Sequence, residues 1–197
     1  MKRSFLIFTL GSGVSLLSLS CNDNASSKTE ANSMDTVNNM TTTASKMAVD
    51  SNTTTLTSNE FVTKAASGGM MEVELGKFAQ VNSSRGDIKD YGKMLEADHS
   101  QGNATLQSIA TAEHISIPAS MNAQDAMHVK DLEAKKGTDF DKAYILMMID
   151  DHNKDIAEFK EAANSNPNAK VKDFATKTLP VLEKHLANAK MIKTKMK

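Results

Sequence analysis

The stretch YGKMLEADHS, from Tyr91 to Ser100, is answered by YILMMIDDHN, from Tyr144 to Asn153. Each places a Tyr, a Met three residues later and then an Asp-His pair, with the histidine eight residues after the tyrosine. The two tyrosines are the only ones in the chain. At 3.6 residues per turn, a spacing of eight keeps Tyr and His on one broad helical face. Around each pair the apolar positions recur at helical period, so both histidines fall on stripes that should face a core. The repeat therefore predicts two equivalent helices that turn matching histidines inward.

Working outward, the chain from Ser58 to Lys197 carries four long helical periods and no strand-like alternation, which predicts an all-α fold. The first period opens at a capping box, Thr57 to Glu60, and its stripe runs through Phe61, Ala65, Gly68, Glu72, Leu75 and Ala79. The second opens near Ser84 and carries Ile88, Gly92, Leu95, His99 and Leu106. The third opens at Thr138 and carries Phe140, Ile145, Met148, His152, Ile156 and Phe159. The fourth is expected to open with Asn166 as cap and Pro167 in the first turn. It carries Val171, Phe174, Leu182, His185 and Ile192, with Pro180 inside it.

The outer two links are short and predict antiparallel hairpins. The link from about Glu113 to Gly137 is long, with a short helix expected over Ala123 to Ala134. A link of that length can cross the whole bundle. The result is a ferritin-like four-helix bundle, up-down-down-up, with a long crossover between helices two and three. The alternative is an up-down-up-down bundle with a decorated loop.

Each stripe is interrupted by one polar residue: Glu72, His99, His152 and His185. At 1.5 Å per residue, the crossover topology puts His99 and His152 about 20–22 Å from one end and Glu72 and His185 about 12–15 Å from it. Side chains lean toward their own helix N-terminus, which draws the two levels together. Three imidazoles and a carboxylate in one layer suit a divalent metal such as zinc, copper, iron or manganese. Asp98 and Asp151, each beside its histidine in sequence, would support ligands from a neighbouring helix. The same residues could instead bond one another as cross-helix links that set helix register. Glu96 and His99 have the Glu-x-x-His spacing of di-iron bundles, but Ile149 and Leu182 stand where the matching acids would be needed. Asp141, near a helix start, reads as a cap. His114 and His128 fall in or near the crossover and are expected to be exposed. The 13 methionines read as core filler.

The N-terminal part has a different character. Lys2 and Arg3 precede an apolar run from Phe5 to Leu19, too short to span a bilayer and arranged as a secretory signal over residues 1–20. It ends in LLSLSC, with Cys21 the chain's only cysteine. A small residue before a lone Cys after such a run resembles a lipoprotein signal, in which Cys21 is acylated. Leu17 stands four positions before Cys21 rather than the usual three. Residues 21–57, rich in Ser, Thr, Asn and Asp, cannot bury enough apolar surface to order themselves and are expected to form a disordered tether. Residues 58–197 form the folded domain.

With its one cysteine committed to lipid, the chain has no disulfide, thiolate nucleophile or cysteine metal site. Loss of Lys2 and Arg3 leaves 21 basic against 24 acidic residues, a net charge near −3 that argues against nucleic acid as a partner. The expected partner is a membrane, reached through the N-terminal lipid, and the expected location is extracytoplasmic. No reaction can be assigned, and a non-enzyme is favoured.

The segments FVTKAASGGMMEVELGKFAQ, MLEADHSQ, FDKAYILMMIDDHNKDIAEF and LPVLEKHLANAK, in this order, resemble the bacterial family called domain of unknown function 4142. The resemblance covers about Asn59 to Met196. It implies a ferritin-like domain in secreted, periplasmic or lipid-anchored proteins. The family motif positions correspond to Glu72, Asp98, His99, Phe140, Asp141, Tyr144, Asp151, His152, Pro180 and His185. It implies no particular reaction and no particular metal. The function expected is thus a metal-binding envelope module or, alternatively, a non-catalytic interaction or stress-related envelope protein whose polar core is structural.

Overall fold

The structure is a computed structural model and describes residues 56–196. The expected signal, Cys21 and all but the last two residues of the expected tether lie outside the described residues. Five helices follow: α1 Ser58–Asn82, α2 Gly86–Ala112, α3 Ala123–Glu133, α4 Gly137–Ser165 and α5 Ala169–Thr194. Among the described residues there is no strand, and no helix is long and apolar enough to cross a membrane.

The helix starts follow side-chain chemistry. Thr57 caps α1 in a reciprocal capping box: its hydroxyl accepts from the Glu60 amide at 3.2 Å, and Glu60 accepts from the Thr57 amide at 2.9 Å. Before α2, Ser83 takes the Arg85 amide and Arg85 pairs with Asp87 in the first turn. The start of α5 differs from expectation. Its cap is Asn168, whose side chain accepts from the amides of Lys170 and Val171. Asn166 instead ends α4 and ties the corner together, accepting from the Ser58 hydroxyl and the Asn168 amide. Gly137, at φ +53°, makes the left-handed turn into α4, a conformation that glycine adopts without steric cost. α5 continues through Pro180.

Four ring pairs decide the topology. Phe61 of α1 meets Phe159 of α4 at one end, and Phe78 of α1 meets Phe140 of α4 at the other, so α1 and α4 run antiparallel. Tyr91 meets Tyr144, with ring centres 6.2 Å apart, and eight residues further along both helices His99 meets His152 at 5.8 Å. Only parallel α2 and α4 bring both pairs together. The bundle is therefore up-down-down-up, and the decorated up-down-up-down alternative is excluded.

The crossover is held by α3, whose Val129 and Leu132 join the core. Ser67 of α1 accepts from the Asn122 amide and donates to Asp125, fixing the start of α3. The core comprises two apolar clusters. One surrounds Tyr91, Phe140 and Tyr144, and the other surrounds Phe61, Leu106, Phe159 and Phe174. The polar layer lies between them.

Candidate metal centre

A residue advances about 100° around a helix, so adjacent residues point in different directions. On α2, His99 faces the bundle axis while Asp98 reaches α5, where its carboxylate accepts from His185 Nε2 at 2.9 Å. On α4, His152 faces the axis while Asp151 reaches the α1 side and joins Glu72. The repeated Asp-His pair thus serves two directions twice: inward with the histidine, sideways with the acid.

His99, His152 and His185 each offer one ring nitrogen, and the three atoms lie within 4.8 Å of one another. His152 and His185 have no solvent exposure, and His99 is largely buried. Each ring is oriented through its other nitrogen. His152 Nδ1 donates to the Met148 carbonyl at 2.9 Å, which requires the proton there and leaves Nε2 a bare lone pair. His185 donates from Nε2 to Asp98, leaving Nδ1 bare. His99 Nδ1 lies 3.0 Å from Glu72 Oε2. The remaining nitrogens, His99 Nε2, His152 Nε2 and His185 Nδ1, are buried without a hydrogen-bond partner.

Burial keeps these rings neutral. It pushes His99 well below the usual histidine range, reinforced by His185 and His152. Burial and then His185 bring His152 down to about 4, against the opposing Met148 bond. His185 is also lowered by burial, although Asp98 resists the shift. A neutral imidazole with a fixed proton and a free lone pair is the form that binds metal.

Glu72 is 1% exposed and stands between two groups. One oxygen faces His99, and the other lies 3.3 Å from His152 Nδ1. Glu72 also joins Asp151 and Asp155 in a second cluster whose oxygens lie within 4.8 Å of one another. Burial, then Asp155, Asp151 and Asp125, raise Glu72 well above the carboxylate range. Asp151 is pushed up to about 6, chiefly by burial. A cavity of about 40 Å³ touches both groups, lined by Glu72, His99, Asp155 and His185 with Gly68 and Gly102. That is room for an ion with water.

Of the residues the sequence singled out, the structure brings His99, His152 and His185 together, with Glu72 and Asp98 holding rings from behind. Asp151 holds no ring; the Met148 carbonyl does that for His152. Sequence reasoning missed Asp155, although its spacing of four from Asp151 places both acids on one helical face. His128 is half-buried rather than exposed, because α3 packs against α1 and α4, and its Nδ1 is shielded without a partner. Asp141 is no cap: it is buried, and Asp139 occupies the first turn of α4. Both tyrosine hydroxyls are buried without a partner, and burial raises their pKa values.

The family described as "Domain of unknown function (DUF4142)" matches residues 39–192. The chain belongs to the DUF4142 family. This DUF4142 domain is similar in fold to a crystal structure of a candidate secreted protein, DUF305, from Streptomyces coelicolor, with a TM-score of 0.60 at 9% identity. The likeness covers 69% of this chain and 91% of that one. No curated protein matches the chain.

Proposed function

We propose that this DUF4142 protein is a lipid-anchored, extracytoplasmic module that binds a divalent transition metal through His99, His152 and His185. The observation that carries the reading is that three buried histidines bring ring nitrogens within 4.8 Å of one another while each keeps one buried nitrogen without a hydrogen-bond partner. Leaving one such group unsatisfied costs about 1–3 kcal/mol, and a metal would satisfy all three together. Three imidazoles suit zinc, copper or iron with a position left for water. At metal–nitrogen distances of about 2.0–2.1 Å, tetrahedral ligands stand about 3.3 Å apart. From their present separation each nitrogen would move inward by less than about 1 Å. The reading is of a binding module rather than an enzyme.

A second reading rests on the bonds that the histidines make to Asp98 and to the Met148 carbonyl, and on the close approach of His99 to Glu72. Under it the layer fixes helix register and binds nothing. Elemental mass spectrometry separates the two. The chain, purified without a histidine tag, is expected to carry close to one equivalent or more of a transition metal, lost in His99→Ala/His152→Ala. No metal after incubation with zinc, copper, iron and manganese would leave the structural reading.

Anchoring is supported by the basic start, the apolar run and Cys21. The DUF305 neighbour, itself named as a candidate secreted protein, agrees with an extracytoplasmic address. Cys21→Ala is expected to lose the incorporation of labelled fatty acid that the parent shows. A parent that takes up no labelled fatty acid would remove the lipid from the account.

A further inference from the structure

The three-histidine reading leaves Asp151 and Asp155 without a role. Both belong to α4, four residues apart on one face, and both meet Glu72 of α1. Burial and mutual repulsion make this arrangement costly in the metal-free protein. Among the described residues no lysine or arginine forms an ion pair with any of the three acids. Glu72 is 1% exposed; only the neutral His99 and His152 rings approach it, at 3.0 and 3.3 Å, and its Oε1 makes no hydrogen bond. Asp151 Oδ2 is likewise buried and unpartnered. The apolar alternative was available, since a leucine at position 72 would continue the stripe that includes Leu75.

We propose that Glu72, Asp151 and Asp155 form a second cation site, and that Glu72 links it to the histidine site through its contacts with His99 and His152. The centre then holds a mixed pair: a nitrogen-favouring ion on His99, His152 and His185, and a hard, oxygen-favouring divalent ion on the three carboxylates. Carboxylates with water suit manganese, magnesium or calcium, whereas the imidazoles suit zinc or copper. The donor chemistry therefore sorts the two ions. The cavity that touches Glu72 and Asp155 as well as His99 and His185 gives one space from which both could complete their coordination with water. The carboxylate site stands on its own geometry; only the mixed pair rests on the three-histidine reading.

The test uses manganese as the hard-ion probe. The metal-free full-length chain is loaded with one equivalent of zinc and titrated with Mn2+, reading the free-ion electron paramagnetic resonance signal. The expected result is one equivalent of bound Mn2+ beside retained zinc. Asp151→Asn/Asp155→Asn, which preserves side-chain size, should weaken Mn2+ binding about 100-fold and keep zinc. His99→Ala/His152→Ala should lose zinc and still bind Mn2+. A parent that binds zinc but no Mn2+ at millimolar concentration overturns the second site and leaves the first. Equal Mn2+ binding by the parent and the Asp151→Asn/Asp155→Asn variant places that ion elsewhere and also overturns it. Mn2+ binding without zinc binding would instead overturn the three-histidine reading, and with it the mixed pair, alone.

Discussion

His152→Leu will abolish the rise in melting temperature that zinc gives the parent, and it will make the metal-free protein more resistant to acid. The first effect follows from the loss of one of three ligands, which should weaken zinc binding by about 100-fold or more. Zinc at about 1,000 times its Kd stabilises the parent by about 4 kcal/mol, so the lost shift should be about 10 °C or more. The second effect follows from burial. His152 has a folded pKa near 4, against an ordinary value of 6.5. Its contribution to stability is complete above pH 6.5 and falls as pH drops toward 4, because the unfolded chain takes up the proton first. The full loss is about 3 kcal/mol. Leucine does not titrate, so the gap between variant and parent should widen from pH 7 to pH 4. Glu72, Asp151 and Asp155, raised by burial, act in the opposite direction in both proteins, and the difference isolates His152. Thermal melts of both chains, with and without zinc, at several pH values would show it. A parallel pair of pH curves would mean that His152 is not held neutral.

Gly76→Ala will destabilise the domain by about 1–3 kcal/mol, although alanine is the better helix former by about 1 kcal/mol. A Cβ at position 76 would stand 2.6 Å from the Gly92 carbonyl oxygen and 3.2 Å from the Glu96 amide nitrogen. These are backbone atoms of α2 and cannot swing aside. Gly92 is pressed reciprocally, its Cβ position lying 2.6 Å from the Gly76 carbonyl oxygen. The two helices are therefore closest where neither has a side chain. Glu72 lies one turn from Gly76, so spreading the helices should also lengthen the Glu72–His99 contact and weaken metal binding. Gly68→Ala is the control. Nothing lies within 4 Å of its Cβ position, so propensity alone should act and stabilise by about 0.5–1 kcal/mol. Denaturant melts of the three chains test this directly. Similar effects at 68 and 76 would mean that the α1–α2 approach is looser than the structure has it.

The polar layer was legible in the sequence because it interrupts otherwise apolar stripes at Glu72, His99, His152 and His185. Helical period shows which face a residue occupies, and a charged residue on a buried face is conspicuous. The capping box at Thr57 and the crossover helix were legible for a similar local reason: capping and amphipathic period are written within a few residues. The cap of α5 is Asn168, two residues beyond the expected Asn166, and both asparagines are competent caps. The choice depended on Asn166 being used by Ser58, more than a hundred residues away.

By itself, the sequence determined an all-helical domain, its four long helices and the histidines that face inward, since these depend on period and on hydrophobicity. It could not determine which neighbour each polar group meets. Two bundle orders satisfy the sequence, and the Tyr91–Tyr144 and His99–His152 pairs select the one with α2 and α4 parallel. Asp98 and Asp151 stand at matching positions of the repeat, each before a histidine and seven residues after a tyrosine, yet one holds His185 and the other joins Glu72 and Asp155. Their neighbours differ because α2 and α4 occupy opposite corners of the bundle, with different helices beside each acid. The Gly76–Gly92 contact and the two donor sets likewise exist only between segments distant along the chain. Their distances are set by how whole helices pack, which no local pattern records.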